Sequence, residues 1–258
     1  RTEGLWRRYA KKKSDRAGAM EAVPDWLRRL QMELGGCFTW AYDDLEDVFL
    51  INGERFSIQS LLGEGSYGSV YKCNVENLEQ PGTAIRQYAV KVISVERIAM
   101  LCRATKEVVL KRMLREAEIL GCVGGHPHIV QLHQAAVSPK SLRIFIVMQL
   151  VQCSDLFAEI LRQRRALNEH DARTVITQLA MAVTHCHRRH VAHRDIKLEN
   201  VMLDSLQPLM VKLIDFGQAK MAHEIEYERV NSTAKTLTTT EIYTPPDVRQ
   251  AIQENSAY

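Results

Sequence analysis

The sequence lacks long hydrophobic runs and closely spaced cysteines. None of its apolar stretches reaches the ~18 residues that a helix needs to cross a bilayer, so we expect no transmembrane segment. Its six cysteines are spread along the chain without a C-x-x-C pair, which argues against a disulfide framework and against a zinc knuckle. We therefore predict a reducing compartment, the cytoplasm, with the nucleus as a second location.

The sequence also has little net charge. Its 34 Lys and Arg residues against 31 Asp and Glu residues give +3, which provides no case for nucleic-acid binding. The hydrophobic fraction of 46% and the charged fraction of 25% are typical of a globular protein. Because the chain begins with Arg1 instead of Met, we expect its natural start to be missing. The composition does not indicate an oligomeric state.

The first 50 residues form an N-terminal extension that differs from the rest of the chain. In "PDWLRRLQMEL", Leu27, Leu30 and Leu34 recur at helical spacing, and Gly35 and Gly36 follow them. The pattern predicts a short amphipathic helix. We favour a helix packed on the main domain or a solvated tail over a membrane-surface or partner-docking role.

Residues 51–151 favour strands, and residues 152–258 favour helices. Asn52-Gly53 between two apolar runs predicts a hairpin turn, and Asn168 can cap a helix that begins after it. A strand-rich half followed by a helix-rich half predicts an α+β fold of two lobes with a ligand cleft. The first half is predicted to contain one helix at about 106–120 and strands at about 56–62, 70–75, 87–95, 129–135 and 142–150.

Three glycines in "LLGEGSYGSVYK" have the G-x-G-x-x-G spacing, with Val70 following. They are Gly63, Gly65 and Gly68. Glycines are needed where backbone N–H groups approach phosphate oxygens closely. Since "SVYKCNV" is typical of a strand, the pattern favours a phosphate-covering hairpin over a dinucleotide-binding turn, which a helix would follow.

Lys91 lies at the centre of the apolar strand "QYAVKVI". A lone lysine there is usually a solvent-facing residue. Here a functional role is favoured, because a phosphate loop precedes Lys91 and a carboxylate follows it. Glu116 in "LKRMLREAEILG" can face inward while Glu118 points elsewhere. An inward Glu116 could hold Lys91 against phosphate oxygens.

Two further motifs, "HRDIKLEN" and "KLIDFGQAK", supply polar groups suited to phosphoryl transfer. Asp195 can accept the proton of an attacking hydroxyl, and Lys197 can neutralise charge on the moving phosphoryl group. Asn200 and Asp215 offer the hard oxygen ligands that Mg²⁺ prefers.

Together the five motifs resemble the eukaryotic protein kinase superfamily over about residues 54–248, and Lys197 resembles the Ser/Thr type. The sequence as a whole is loosely similar to the calcium/calmodulin-dependent kinase group. The resemblance implies a bilobal kinase fold, with ATP and Mg²⁺ as cofactors and transfer of the γ-phosphoryl group to Ser or Thr of a protein substrate. It assigns Asp195 as the catalytic base, with Lys197 beside it, and Asn200 and Asp215 as metal ligands.

The resemblance also implies which residues bind ATP. The glycine loop and Lys91 would hold the phosphates, with Glu116 as the partner of Lys91. The segment "VMQLV" would be the hinge between the two lobes, and the backbones of Gln149 and Val151 in it would bond the adenine. The remaining contacts to the nucleoside would come from Val70, Ala89, Met148, Asp155 and Met202.

A group of histidines precedes Asp195, and it has two interpretations. Metal binding would require His185, His187, His190 and His193 to lie on one side, but they straddle a helix end and a loop. The resemblance instead makes His187 and His193 structural.

Regulation by phosphorylation is implied by Arg194, which could bind a phosphate on the activation segment, the stretch between Asp215 and Asp247. We predict Thr233 or Thr236 as the switch, modified by an upstream kinase, and Thr240 as a residue near Lys197. A merely polar loop is an equally good interpretation.

The chain ends at Tyr258, before the remaining C-lobe helices of the family. We therefore expect an N-lobe at residues 51–151 and an incomplete, helix-rich C-lobe at residues 152–258. An inactive kinase-fold module that binds other proteins is the alternative function.

Overall fold

The computed structural model describes residues 23–45, 47–65, 67–80 and 82–224. Its residues group into two compact units. The first contains residues up to 118 together with 132–150, and the second contains 119–131 together with those after 150. The predicted N-lobe, residues 51–151, includes the stretch 119–131, but in the structure this stretch groups with the second unit.

Seven strands of the first unit form a closed barrel. Their order in the sheet is β1-β2-β3-β4-β5-β7-β6. Neighbours pair antiparallel except β1 and β6, whose parallel pairing closes the barrel with Thr39 opposite Ala136. The strands are β1 (Thr39–Leu45), β2 (Val48–Ile51), β3 (Glu54–Glu64), β4 (Ser69–Asn77), β5 (Arg86–Ser94), β6 (Leu132–Val137) and β7 (Arg143–Gln149).

The predicted hairpin at Asn52-Gly53 is confirmed as the turn between β2 and β3. Both turn residues have positive φ angles, 46° at Asn52 and 84° at Gly53. These are the left-handed conformations that a two-residue hairpin turn requires, and Asn and Gly adopt them most readily.

Aromatic rings fill the barrel. Phe49 stacks on Phe56, with 5.0 Å between ring centroids, and on Phe145, with 4.0 Å. All three rings are fully buried, and Ile51 and Val90 pack with them. Since truncation of a buried aromatic side chain costs about 3–5 kcal/mol, this stack contributes strongly to the stability of the barrel.

Three helices begin in the first unit: α1 (Asp25–Glu33), α2 (Val95–Cys102) and α3 (Lys106–Val123). The predictions of α1 and α3 are confirmed. Helix α2 was not predicted, and its first residue, Val95, was placed at the end of the strand predicted at about 87–95. Ser94 ends that strand, and its hydroxyl accepts a hydrogen bond from the backbone N–H of Arg97, which caps α2.

The second unit contains α4 (Leu156–Gln163), α5 (Glu169–Arg188) and a 3₁₀ turn, Leu198–Asn200. Asn168 caps α5 as predicted, since its Oδ1 accepts the N–H of Asp171 at 2.8 Å. Two small strand pairs were missed. They are β8 (Val191–Ala192) with β11 (Lys220–Met221), and β9 (Val201–Leu206) with β10 (Leu209–Leu213).

The second unit has its own apolar core, in which Leu156 and Val175 from the helices pack with Leu203 and Val211 from the β9–β10 hairpin. The strands and helices of the two units together confirm the predicted α+β class. Within the described ranges, the helices are all too short or too polar to span a membrane.

Candidate active site

The glycine loop is the tight turn between β3 and β4. Gly63 lies opposite Val70 in the strand register, and the N–H of Gly65 donates to the carbonyl of Gly68 at 2.8 Å. A Cβ on Gly68 would lie 2.3 Å from the carbonyl oxygen of Val92, whereas a Cβ on Gly63 would meet nothing within 4 Å. Gly68 is therefore required by packing, and Gly63 leaves its backbone open to a ligand.

Lys91 lies in β5, between β4 and β7. Side chains alternate along a strand, so Lys91 points to the outer face while Val90 points into the barrel. Its Nζ donates to Oε2 of Glu116 in α3 at 2.6 Å, and these side chains are only 12% and 7% exposed. The predicted inward orientation of Glu116 is confirmed, and Glu118 instead pairs with Arg115.

Tyr67, at the tip of the glycine loop, was not singled out from the sequence. The guanidinium of Arg112 donates to its hydroxyl at 3.1 Å and lies over its ring, 5.4 Å from the centroid. Arg112 precedes Glu116 by four residues, so both lie on one side of α3. That spacing is the signal by which this contact between the glycine loop and α3 could have been predicted.

In the second unit, the loop after β8 brings three predicted residues together. The amide nitrogen of Asn200 donates to the carbonyl of Asp195 at 2.7 Å and to its Oδ2 at 2.8 Å. Nζ of Lys197 lies 3.0 Å from the same Oδ2. Because both bonds use the amide nitrogen, the amide oxygen is the atom that Asn200 can offer to a cation.

Asp215 follows β10 in a left-handed conformation, with a φ of 56°. Its Oδ1 accepts the N–H of Gly217 at 3.2 Å, and the side chain of the next residue, Phe216, is buried. The backbone N–H of Ile214 donates to the carbonyl of Asn200 at 2.9 Å. One hydrogen bond therefore ties together the two loops that carry the predicted metal ligands.

His193 supports both loops from inside the second unit. Its Nε2 lies 3.0 Å from the carbonyl of Ile214, and its Nδ1 accepts the N–H of Asp195 at 3.3 Å. Such an arrangement requires the neutral ring with its proton on Nε2. Burial lowers the pKa of His193, although the Ile214 carbonyl and nearby carboxylates oppose this effect.

The other histidines of the group point to separate places. His185 bonds to the carbonyl of Val123, and His187 is exposed at the end of α5. In the described part of the chain, no three His, Cys, Asp or Glu side chains are arranged to hold a metal ion by themselves.

The residues predicted to contact the nucleoside fall in both units. In the first, Ala89 is buried and lies opposite Met148 in the sheet, and Gln149 lies opposite Tyr88. In the second, Val151 is buried. Asp155 caps α4 through its Oδ1 and forms a backbone bridge with Met202.

Arg194 lies next to Asp195 in a left-handed conformation, with a φ of 70°. Thr233, Thr236 and Thr240 lie outside the described residues. Their roles in regulation stay predictions.

A comparison with models of protein families decides the identity of the fold. The model described as "Protein kinase domain" matches residues 56–257. The chain belongs to the protein kinase family.

Similar proteins are kinases of plants and animals. The chain is 36% identical over 198 residues to a putative CBL-interacting protein kinase 13 of Oryza sativa subsp. japonica, covering 75% of this chain and 34% of the relative. It is 33% identical over 199 residues to the human NUAK family SNF1-like kinase 2, covering 75% and 29%. It is 35% identical over 163 residues to the CBL-interacting serine/threonine-protein kinase 1 of Arabidopsis thaliana, covering 63% and 33%. The chain thus matches about a third of the length of these relatives.

Two residues of the glycine loop, Gly63 and Gly68, allow a paired test. Gly68→Ala should lower the midpoint of thermal unfolding without nucleotide, because its methyl group would collide with the backbone of β5. Gly63→Ala should leave that midpoint unchanged but weaken ATP binding by about tenfold, or 1.4 kcal/mol. Thermal melting and nucleotide titration of both variants check this, and equal loss of stability in both would contradict it.

The buried His193 should make stability depend on pH. Its pKa is lowered in the folded protein, so the unfolded chain binds the proton first as the pH falls below about 6.5. The folded protein should lose stability below that pH relative to His193→Gln, which keeps a donor and an acceptor but cannot be protonated. Urea unfolding from pH 8 to 5.5 measures this difference.

The exposed His170 provides the control. The free energy of unfolding of His170→Gln should change with pH in the same way as that of the wild type. If the free energy of unfolding of His193→Gln also changes with pH as that of the wild type does, His193 is not kept neutral by burial.

Proposed function

We propose that the chain is the catalytic part of a Ser/Thr protein kinase, which transfers the γ-phosphoryl group of ATP to a hydroxyl of a protein substrate. The observation that carries the proposal is the contact of Lys197 and Asn200 with one carboxylate oxygen of Asp195. Lys197, together with the similarity to a serine/threonine-protein kinase, supports the choice of Ser and Thr as acceptors.

The carboxylate of Asp195 is the base in this reaction. It accepts the proton of the attacking hydroxyl as the new P–O bond forms and the bond to the leaving ADP breaks. The amide of Asn200 fixes the orientation of this carboxylate by two hydrogen bonds. The ammonium of Lys197, 3.0 Å away, is placed to neutralise charge on the transferred group.

Asn200 and Asp215 fit a divalent cation of the Mg²⁺ type. An amide oxygen and an exposed carboxylate are hard ligands, and two ligands are typical of a site in which phosphate oxygens and water supply the rest. A bound Mg²⁺ would neutralise phosphate charge. In the first unit, Lys91 holds phosphate oxygens, and Glu116 keeps its ammonium in place.

The proposal is tested by Asp195→Asn, which keeps the shape of the side chain but removes its basicity. With labelled ATP, Mg²⁺ and a basic peptide substrate, the rate of phosphate incorporation should fall by about 10²-fold or more. Removal of the metal with a chelator should abolish incorporation by the wild type.

Glu169→Gln serves as the matched control, since Glu169 is an exposed carboxylate on α5. It should phosphorylate the peptide at the wild-type rate. Equal incorporation by wild type and Asp195→Asn would refute the catalytic role and favour a kinase fold that acts only by binding proteins.

A further inference from the structure

Helix α3 is buried over more than half of its circumference. One side carries Glu116, which faces Lys91. At 100° per residue, Leu114 lies about 160° around the helix from Glu116, and Leu110 about 120° around. Both leucines are nevertheless completely buried. The buried surface of α3 therefore extends from the side of Glu116 to nearly the opposite side of the helix.

Helix α1 lies beside that far side, to which it is joined by an ion pair. Lys111 and Glu118 lie on it too, about 140–160° from Glu116. Nζ of Lys111 lies 2.9 Å from Oε2 of Glu33 in α1. Burial, with a smaller contribution from the Glu118 carboxylate, raises the pKa of the thiol of Cys37, so Cys37 lies near Glu118.

The start of α1 lies across a groove from the start of α3. A groove of about 320 Å³ has Pro24 and Trp26 in its lining together with Lys106 and Glu107, the first two residues of α3. The inward residues of α1, Leu27 and Leu30, are 0% and 1% exposed. Helix α1 thus lies near the first turn of α3 and pairs with it at Lys111, and the inward side chains of α1 are completely buried.

The chain after α1 is fixed to the barrel. The side-chain amide of Gln31 donates to the carbonyl of Phe38 at 2.8 Å, and the ring of Phe38 packs edge-on against Trp40 at 5.3 Å. Thr39 and Trp40 then pair with β6, which closes the barrel. These contacts connect α1 to the same closed barrel that contains β5, the strand that carries Lys91.

We propose that residues 23–41, here called the brace, position Glu116 for phosphoryl transfer by holding α3 against the barrel. The ion pair of Glu116 with Lys91 is only 2.6 Å long, and a displacement of α3 by about 1 Å would break its geometry. Leu27 and Leu30 are positioning residues that act through Glu116. The proposal rests on the kinase function given above.

The first experiment compares two residues of α1. Leu30→Ala removes a buried side chain, and Met32→Ala removes one that is 73% exposed. Leu30→Ala should weaken ATP binding by about tenfold, because α3 loses its support and Lys91 loses its partner. Met32→Ala should bind ATP as the wild type does. Equal ATP affinities of all three proteins would overturn the proposal.

A double-mutant cycle shows whether the brace acts through Glu116. Glu116→Gln removes the charge that holds Lys91, so adding Leu30→Ala to it should weaken ATP binding by less than about twofold further. If Leu30→Ala keeps its full effect in the Glu116→Gln protein, the brace acts on something else and the proposal is wrong.

A second pair of variants avoids the core, in case Leu30→Ala does not fold. Glu33→Lys and Lys111→Glu each place like charges together at an exposed contact, where a pair contributes little, so ATP affinity should fall by only about threefold. The double exchange restores opposite charges between α1 and α3, so it should bind ATP more tightly than Lys111→Glu alone. Recovery is partial because Lys111→Glu also places a carboxylate beside Glu107. A double exchange that binds ATP no better than Lys111→Glu would overturn the proposal.

These outcomes are distinct from those that test the kinase function. A wild-type protein that transfers no phosphate would refute the function, but ATP affinity would still decide whether the brace acts on Lys91 through Glu116.

Discussion

The ion pair between Lys91 and Glu116 is the interaction on which the first unit depends. Both side chains are nearly buried, so each charge has lost most of its hydration and relies on the other. Removing one partner of such a pair costs about 3–5 kcal/mol. The pair therefore exists only while β5 and α3 are both held in place, the first by the closed barrel and the second by the barrel and the brace. The same contact therefore contributes to the stability of the first unit and to the position of Lys91.

In the second unit, the charged side chains are positioned by the geometry of the backbone. Asp195 and Asp215 must present carboxylates from two separate loops, and the chain turns sharply at Arg194 and at Asp215 itself. Left-handed conformations cost free energy for residues other than glycine, about 1–3 kcal/mol each, and persist only where the surroundings enforce them. His193 provides part of that enforcement by bonding to both loops.

The motifs that predicted the site are short and local, which is why the sequence was sufficient for them. The position of Lys91 in an apolar strand and of Glu116 on a helix face follows from spacing alone. By contrast, β1 was missed because "TWAYDDL" carries two aspartates and because its partner β6 lies almost a hundred residues later.

The brace was only half predicted, for the same reason. Helical spacing of Leu27 and Leu30 predicts α1, and a helix packed on the main domain or a solvated tail was the favoured interpretation. The ion pair from Glu33 to Lys111 depends on the folded chain, and no local pattern encodes it. The two-residue strands β8 and β11 are likewise too short for any periodicity to show.

The most direct test of the account is a calorimetric titration of the wild type and Glu116→Gln with Mg-ATP and with adenosine. If Glu116 serves to hold Lys91 against phosphates, the variant should bind Mg-ATP about tenfold or more weakly, a loss of at least ~1.4 kcal/mol, and adenosine as tightly as the wild type does. Unchanged affinity for Mg-ATP, or an equal loss for both ligands, would contradict the account.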